Sequence, residues 1–182
     1  MRKILLTSTG FNNKKFEKLF LKQVDKPAEE INVIFVPTAA IDNDAKMMLP
    51  FCMQDLTNVG LLPKNILTYD LNYLLRYEEA KLYDAIYFCG GSPEHLLNCI
   101  NNIGFHQILN NLVEEGMFYI GVSAGSIVAT SNMANNLGYA DCKLSVHCQN
   151  GSICGGFKNS DTIYLTDKQA IWITGDKAEI IE

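Results

Sequence analysis

Two stretches of this chain, Ile31-Asn32-Val33-Ile34-Phe35-Val36 and Met117-Phe118-Tyr119-Ile120-Gly121-Val122, are apolar at nearly every position. A strand with one face in water alternates apolar and polar residues, whereas a strand covered on both faces does not. Such strands occur almost only in parallel sheets with helices on each side. The rest of the pattern agrees. Shorter apolar runs at 4–7, 65–69 and 84–89 are separated by helically spaced stretches. Phe16, Leu19, Phe20 and Val24 form one stripe, closed by Pro27; Met48, Phe51, Cys52, Leu56 and Val59 form a second, ending at Gly60. The spacing predicts further helices over 73–82, from Pro93 to 113 with a break near Gly104, and over 124–133. Strands alternating with helices imply right-handed βαβ units and a largely parallel sheet.

After residue 134 the character changes to loops marked by Asn135-Asn136, Gly138, Asn150-Gly151 and Gly155-Gly156. Runs 162–165 and 170–174 read as an antiparallel pair around a turn at Thr166-Asp167-Lys168, and 178–181 as a last strand. The expectation is an α/β three-layer sandwich with a β-rich carboxyl end, one domain over residues 1–182.

Composition narrows the function. The net charge is −5 and the 15 Lys and Arg residues are scattered, so no basic stripe offers itself to a nucleic-acid backbone. Only Ile4, Leu5 and Leu6 follow Arg2-Lys3 before polar residues begin, short of the apolar core of about 7–15 residues in a secretory signal. No run approaches the roughly 18 apolar residues of a membrane helix. The six cysteines form no Cys-x-x-Cys pair, and with the three separated histidines they suggest neither a zinc site nor a disulfide framework. These features lead to a cytoplasmic chain with no membrane or nucleic-acid partner and no cofactor.

The chemistry concentrates in Gly121-Val122-Ser123-Ala124-Gly125, a G-x-S-x-G pentapeptide between a predicted strand and a predicted helix. That context places Ser123 on a sharp strand-to-helix turn, where small neighbours are needed and backbone amides face outward. The bland alternative is a glycine-rich turn that packs or binds phosphate. Cys89-Gly90-Gly91-Ser92-Pro93 also ends a buried strand, on the same sheet edge. The Gly91 amide is thus a second oxyanion donor beside that of Ala124, or the segment is a plain helix cap. A general base requires histidine. His147, in the loop-rich segment after the nucleophile, is preferred; His95, just after Gly90-Gly91, is the alternative; His106 reads as structural. The third member is open. Asp141 fits the order serine, aspartate, histidine, and Asp161, Asp167 and Asp176 are further options in turns; a backbone carbonyl could also orient the ring. Trp172 reads as core, and Cys148 as a buried thiol.

With these residues placed, the chain resembles peptidase family S51, which includes dipeptidase E and cyanophycinase and shares the class I glutamine amidotransferase-like fold. The resemblance rests on Leu5-Leu6-Thr7-Ser8-Thr9-Gly10-Phe11, Val33-Ile34-Phe35-Val36-Pro37-Thr38-Ala39, Tyr87-Phe88-Cys89-Gly90-Gly91-Ser92 and Tyr119-Ile120-Gly121-Val122-Ser123-Ala124-Gly125-Ser126. It implies Ser123 as nucleophile, Gly91 and Ala124 as the oxyanion hole, and His147 as the histidine following Leu137-Gly138. An amidotransferase would carry cysteine at position 123. The resemblance further implies a serine peptidase acting on small peptides, with homodimers usual. Two departures stand out: His147 follows Val146 rather than proline, and no arginine occurs after Arg76 to hold a substrate aspartate. A family member that binds a small acidic or peptide ligand without turnover is the alternative function, and an esterase-like hydrolase a third.

Overall fold

The computed structural model describes residues 1–182 and shows a mixed sheet between two helical layers. Five strands run parallel: β1 (Lys3–Thr7), β2 (Val33–Val36), β3 (Ile66–Thr68), β4 (Ala85–Phe88) and β5 (Phe118–Val122), in the order β3-β2-β4-β5-β1. Every residue of β2, β4 and β5 is buried, as their unbroken apolar sequences require. Alternate side chains divide into two cores. Ile34, Ile86, Phe88 and Tyr119 face one side; Val33, Phe35, Tyr87 and Ile120 face the other.

The first core is covered by α4 (Pro93–Asn102) and α5 (Phe105–Glu115), through Leu96, Leu97, Ile100, Phe105, Leu109 and Leu112. The second is covered by α1 (Lys14–Val24), through Phe16 and Phe20, and by Leu56 of α2 (Asn43–Asn58). Each such side chain, once buried, contributes roughly 1.5–3 kcal/mol. Caps set the ends: the Lys15 amide donates to Asn13 Oδ1 (2.9 Å), the Ala45 amide to Asp42 Oδ1 (2.8 Å), and the His95 amide to Ser92 Oγ (3.2 Å). The break at Gly104 falls where the sequence puts it.

Two helices are shorter than their spacing predicts. Within 73–82 only α3 (Tyr77–Ala80) forms, because the buried Tyr69 hydroxyl captures the backbone first: it donates to the Tyr73 carbonyl (2.5 Å) and accepts the Leu75 amide (3.2 Å). The helix expected over 124–133 is the single turn α6 (Ala124–Ile127). The carbonyls that would continue it are taken by the returning chain, Val128 O by the Leu137 amide (2.8 Å) and Ala129 O by that of Tyr139 (2.9 Å).

The carboxyl end is β-rich, with different pairing. β6 (Lys143–Ser145) and β8 (Thr162–Tyr164) form a separate parallel pair. β9 (Ala170–Thr174) lies antiparallel between β1 and β10 (Lys177–Ile181), and the short β7 (Gly155–Gly156) closes the edge. The expected hairpin between 162–165 and 170–174 therefore does not form. The intervening turn is held by another part of the chain: Ser8 and Thr9 donate to the carbonyls of residues 165–167. Trp172 is core, stacked on Phe118 with ring centroids 5.6 Å apart. No helix is long and apolar enough to cross a membrane.

Candidate active site

Parallel sheets form sites beyond the carboxyl ends of their strands. Here β4 and β1 flank β5, with Phe88 and Leu6 both opposite Gly121. The chain leaves β5 at Ser123, which adopts φ 48° and ψ −103°. A non-glycine residue there is strained, by about 1–3 kcal/mol, and persists only where its surroundings fix it. They do so tightly. A Cβ on Gly121 would lie 2.6 Å from the Gly125 carbonyl oxygen, and one on Gly125 would lie 2.6 Å from Cβ and O of Phe88. The two glycines of the pentapeptide are thus a packing requirement. The Tyr119 hydroxyl donates to Gly125 O (2.6 Å), and Ser126 Oγ lies 2.8 Å from the carbonyls of Thr7 and Gly121.

His147 faces this turn. Its Nε2 is 3.2 Å from Ser123 Oγ, and its Nδ1 is 3.0 Å from Asp167 Oδ1. An ionised carboxylate only accepts, so the contact with Asp167 calls for the proton on Nδ1 and leaves the Nε2 lone pair toward the serine hydroxyl. The three side chains form a relay on the rim of the molecule, His147 being 50% and Asp167 53% exposed. His147 also has a positive φ, 58°, which histidine tolerates better than most residues. Its amide donates to Ser8 Oγ (3.1 Å), whose own proton faces the carbonyls of Thr166 (3.2 Å) and Leu165 (3.3 Å). Thr9 Oγ1 donates to Asp167 O (3.1 Å). The Ser8-Thr9 corner after β1 therefore anchors both the histidine and the turn carrying the aspartate.

The Gly90-Gly91 loop abuts the serine, since a Cβ on Gly90 would stand 3.3 Å from Ser123 Cβ. Gly91 has φ 135°, and a side chain there would strike the Ala39 carbonyl oxygen at 2.0 Å. Its amide donates to no protein group, while that of Ser92 is taken by Ala39 O (2.8 Å). α6 is a single turn, too short to carry a long helix dipole to the Ala124 amide at its start.

A cavity of about 180 Å³ opens beside Ser123 and His147. Met48 and Phe51 of α2 form its outer wall, 55% and 57% exposed, so half of the second apolar stripe faces this cavity rather than the core. Asp55 and Cys52 lie deeper. Asp55 Oδ2 accepts from the Tyr87 hydroxyl (2.6 Å) and the Phe11 amide (2.9 Å). Burial pushes the Asp55 carboxyl above its ordinary value despite these donors. Burial likewise raises the Tyr87 hydroxyl and the Cys89 thiol, whereas a hydrogen bond with Cys89 lowers Cys52.

The structure thus sets His147 against Ser123, with Ala124 next in the chain and Gly91 following Gly90, which packs on the serine. The other residues considered lie elsewhere. His95 contacts Cys99 (3.6 Å) and His106 contacts Asn101 Oδ1 (3.1 Å). Asp141, the aspartate that fits the expected chain order, accepts instead from Ser131 Oγ (3.2 Å). Asp161 caps the Lys158 amide and Asp176 pairs with Arg2. Asp167 holds the place beside the histidine, giving the order serine, histidine, aspartate. Sequence reasoning missed Ser8 and Asp55. The first looked like an ordinary turn residue, and the second carried no signal beyond being a charge between Gln54 and Leu56. No three His, Cys, Asp or Glu side chains converge as a metal-ligand group.

Comparison with known proteins bears on the fold and the family. An uncharacterised peptidase of Listeria monocytogenes, Lmo0363, is 28% identical over 104 residues, 56% of this chain and 50% of its own length, so the chain spans about half the length of the curated relative it matches. A crystal structure of a candidate peptidase E from Listeria monocytogenes EGD-e superposes with a TM-score of 0.74, covering 100% of this chain and 98% of that one at 20% identity. A peptidase from an acI-B1 Actinobacterium gives 0.65, covering 100% and 87% at 15% identity. At these identities the two solved structures speak for the fold. The model of peptidase family S51 matches residues 4–143, a span that holds the serine turn and the Gly90-Gly91 loop but ends before His147 and Asp167. On that match the chain belongs to peptidase family S51.

Proposed function

We propose that this protein is a serine peptidase acting on small peptides, with Ser123 as nucleophile, His147 as general base and Asp167 orienting the imidazole. The observation that carries the reading is the pair of contacts made by one ring, Nε2 to Ser123 Oγ at 3.2 Å and Nδ1 to Asp167 at 3.0 Å. Ser123 Oγ attacks the scissile carbonyl while its proton passes to Nε2. The carbonyl oxygen becomes an oxyanion between the Gly91 and Ala124 amides. On collapse the C–N bond breaks, Nε2–H protonates the leaving amine, and an acyl-serine remains. Water then attacks the ester and gives its proton to Nε2; on collapse the bond from the acyl carbon to Ser123 Oγ breaks, Nε2–H returns the proton to Oγ, and the free acid leaves. The alternative of binding without turnover rests on the lack of an assigned third residue and of a late arginine; the contact of Asp167 with His147 Nδ1 (3.0 Å) speaks against the first ground and leaves the second. All six cysteines are unpaired, in keeping with a cytoplasmic setting.

A fluorophosphonate probe tests the reading. Folded protein should be labelled at Ser123, and Ser123→Ala should abolish both labelling and peptide hydrolysis. An unlabelled protein, under conditions that label a control serine hydrolase, would overturn it.

A further inference from the structure

The cavity beside Ser123 differs in charge from a site built for acidic substrates. Its lining includes Met48, Leu49, Phe51 and Cys52, and neither lysine nor arginine. The two arginines are committed elsewhere, Arg2 to Glu114 and Asp176, and Arg76 to Glu79. The acid within the cavity is Asp55. Its Oδ2 is saturated by Tyr87 and Phe11, while Oδ1 receives no protein hydrogen bond. A substrate carboxylate entering here would lose its water, meet no cation and approach a carboxyl group, each of which opposes binding.

The position of the cavity indicates which part of a substrate fills it. Cys89 and Gly90, from the loop proposed to hold the oxyanion, form part of its wall. The leaving amine must reach His147 Nε2, which lines the cavity only at its half-exposed rim. The enclosed space therefore belongs to the acyl half. A volume near 180 Å³ holds one side chain, since a cavity of about 150 Å³ accommodates benzene.

On the reading of Ser123 as nucleophile, we propose that this cavity selects an uncharged apolar side chain, of the size of leucine, methionine or phenylalanine, on the residue whose carbonyl is attacked, and that Asp55 is the specificity residue that rejects acidic side chains there. Flexible Met48 and planar Phe51 form an adaptable apolar wall, and Asp55 sets the sign of the charge.

The test is kcat/KM on Xaa-Leu dipeptides with Xaa as Leu, Met, Phe, Lys, Asp or Glu, run beside fluorophosphonate labelling of the same preparation. The apolar substrates should exceed Asp-Leu and Glu-Leu by at least about 100-fold, and Asp55→Asn should narrow that gap at least tenfold. Asn at position 55 can still accept from Tyr87 and Phe11, so the fold is kept. If dipeptides turn over too slowly to rank, competition with labelling decides: isobutylboronic acid should protect Ser123 at far lower concentration than 2-carboxyethylboronic acid. A labelled enzyme that prefers Asp-Leu or Lys-Leu, is protected equally by both boronic acids, or keeps its discrimination in Asp55→Asn overturns the specificity proposal and leaves the serine mechanism standing. Failure to label Ser123 at all removes the mechanism, and the specificity proposal with it.

Discussion

The backbone amide of His147 donates to Ser8 Oγ at 3.1 Å, across 139 residues of chain. Ser8 is 1% exposed and also faces the carbonyls that open the Asp167 turn. One hydroxyl thus joins the end of β1 to the two segments that carry the imidazole and its carboxylate. Geometry held this way, by a buried side chain on a strand end, is what lets a half-exposed histidine keep a fixed distance from its serine.

Ser8→Ala should act through position rather than chemistry. Removing the hydroxyl leaves the His147 amide and nearby carbonyls without their buried partner, at about 1–3 kcal/mol of stability. The folded variant should lose kcat about tenfold or more with KM little changed, as misplacement of a reacting group does. Denaturant melts with steady-state kinetics check both halves. An unchanged kcat would assign Ser8 to structure alone.

Asp167→Asn should cost about 10⁴ in kcat, because an amide can favour the wrong imidazole tautomer. Asp141→Asn should leave kcat within a few-fold, since Asp141 meets Ser131 and not His147. Comparing the two variants on one peptide separates the aspartate that chain order favours from the one that the fold delivers.

Gly125→Ala should damage folding rather than catalysis alone. The new methyl would meet the Phe88 backbone at 2.6 Å, a neighbour with no side-chain freedom to yield. Destabilisation of about 1–3 kcal/mol or more is expected from such overpacking. A fall in the urea midpoint checks it.

Asp55→Asn should raise thermal stability at neutral pH. Burial lifts the folded-state carboxyl above its ordinary value. Between that value and the raised one, the folded protein keeps a proton that the unfolded chain has released. Stability of the parent therefore falls as pH rises through this window, and the penalty persists above it. The variant does not titrate there, so its Tm advantage should grow from pH 4 toward pH 7. Melting curves across that range read it directly.

The sequence by itself determined the parallel strands of the sheet and the serine turn. Unbroken apolar runs call for strands covered on both faces, while Gly125 records the close approach of the turn to Phe88 at the end of β4, and Gly121 the close approach of the same turn to β5. These are local or periodic constraints, so they are written in adjacent residues. Tertiary structure decided the rest. Asp167 reaches His147 because Ser8 and Thr9 bind the carbonyls of residues 165–167, and β9 pairs with β1 rather than β8 for reasons equally remote in sequence. Half of the α2 stripe turned to the cavity and not the core, a distinction that helical spacing cannot make, because it records which residues share a face but not what that face meets.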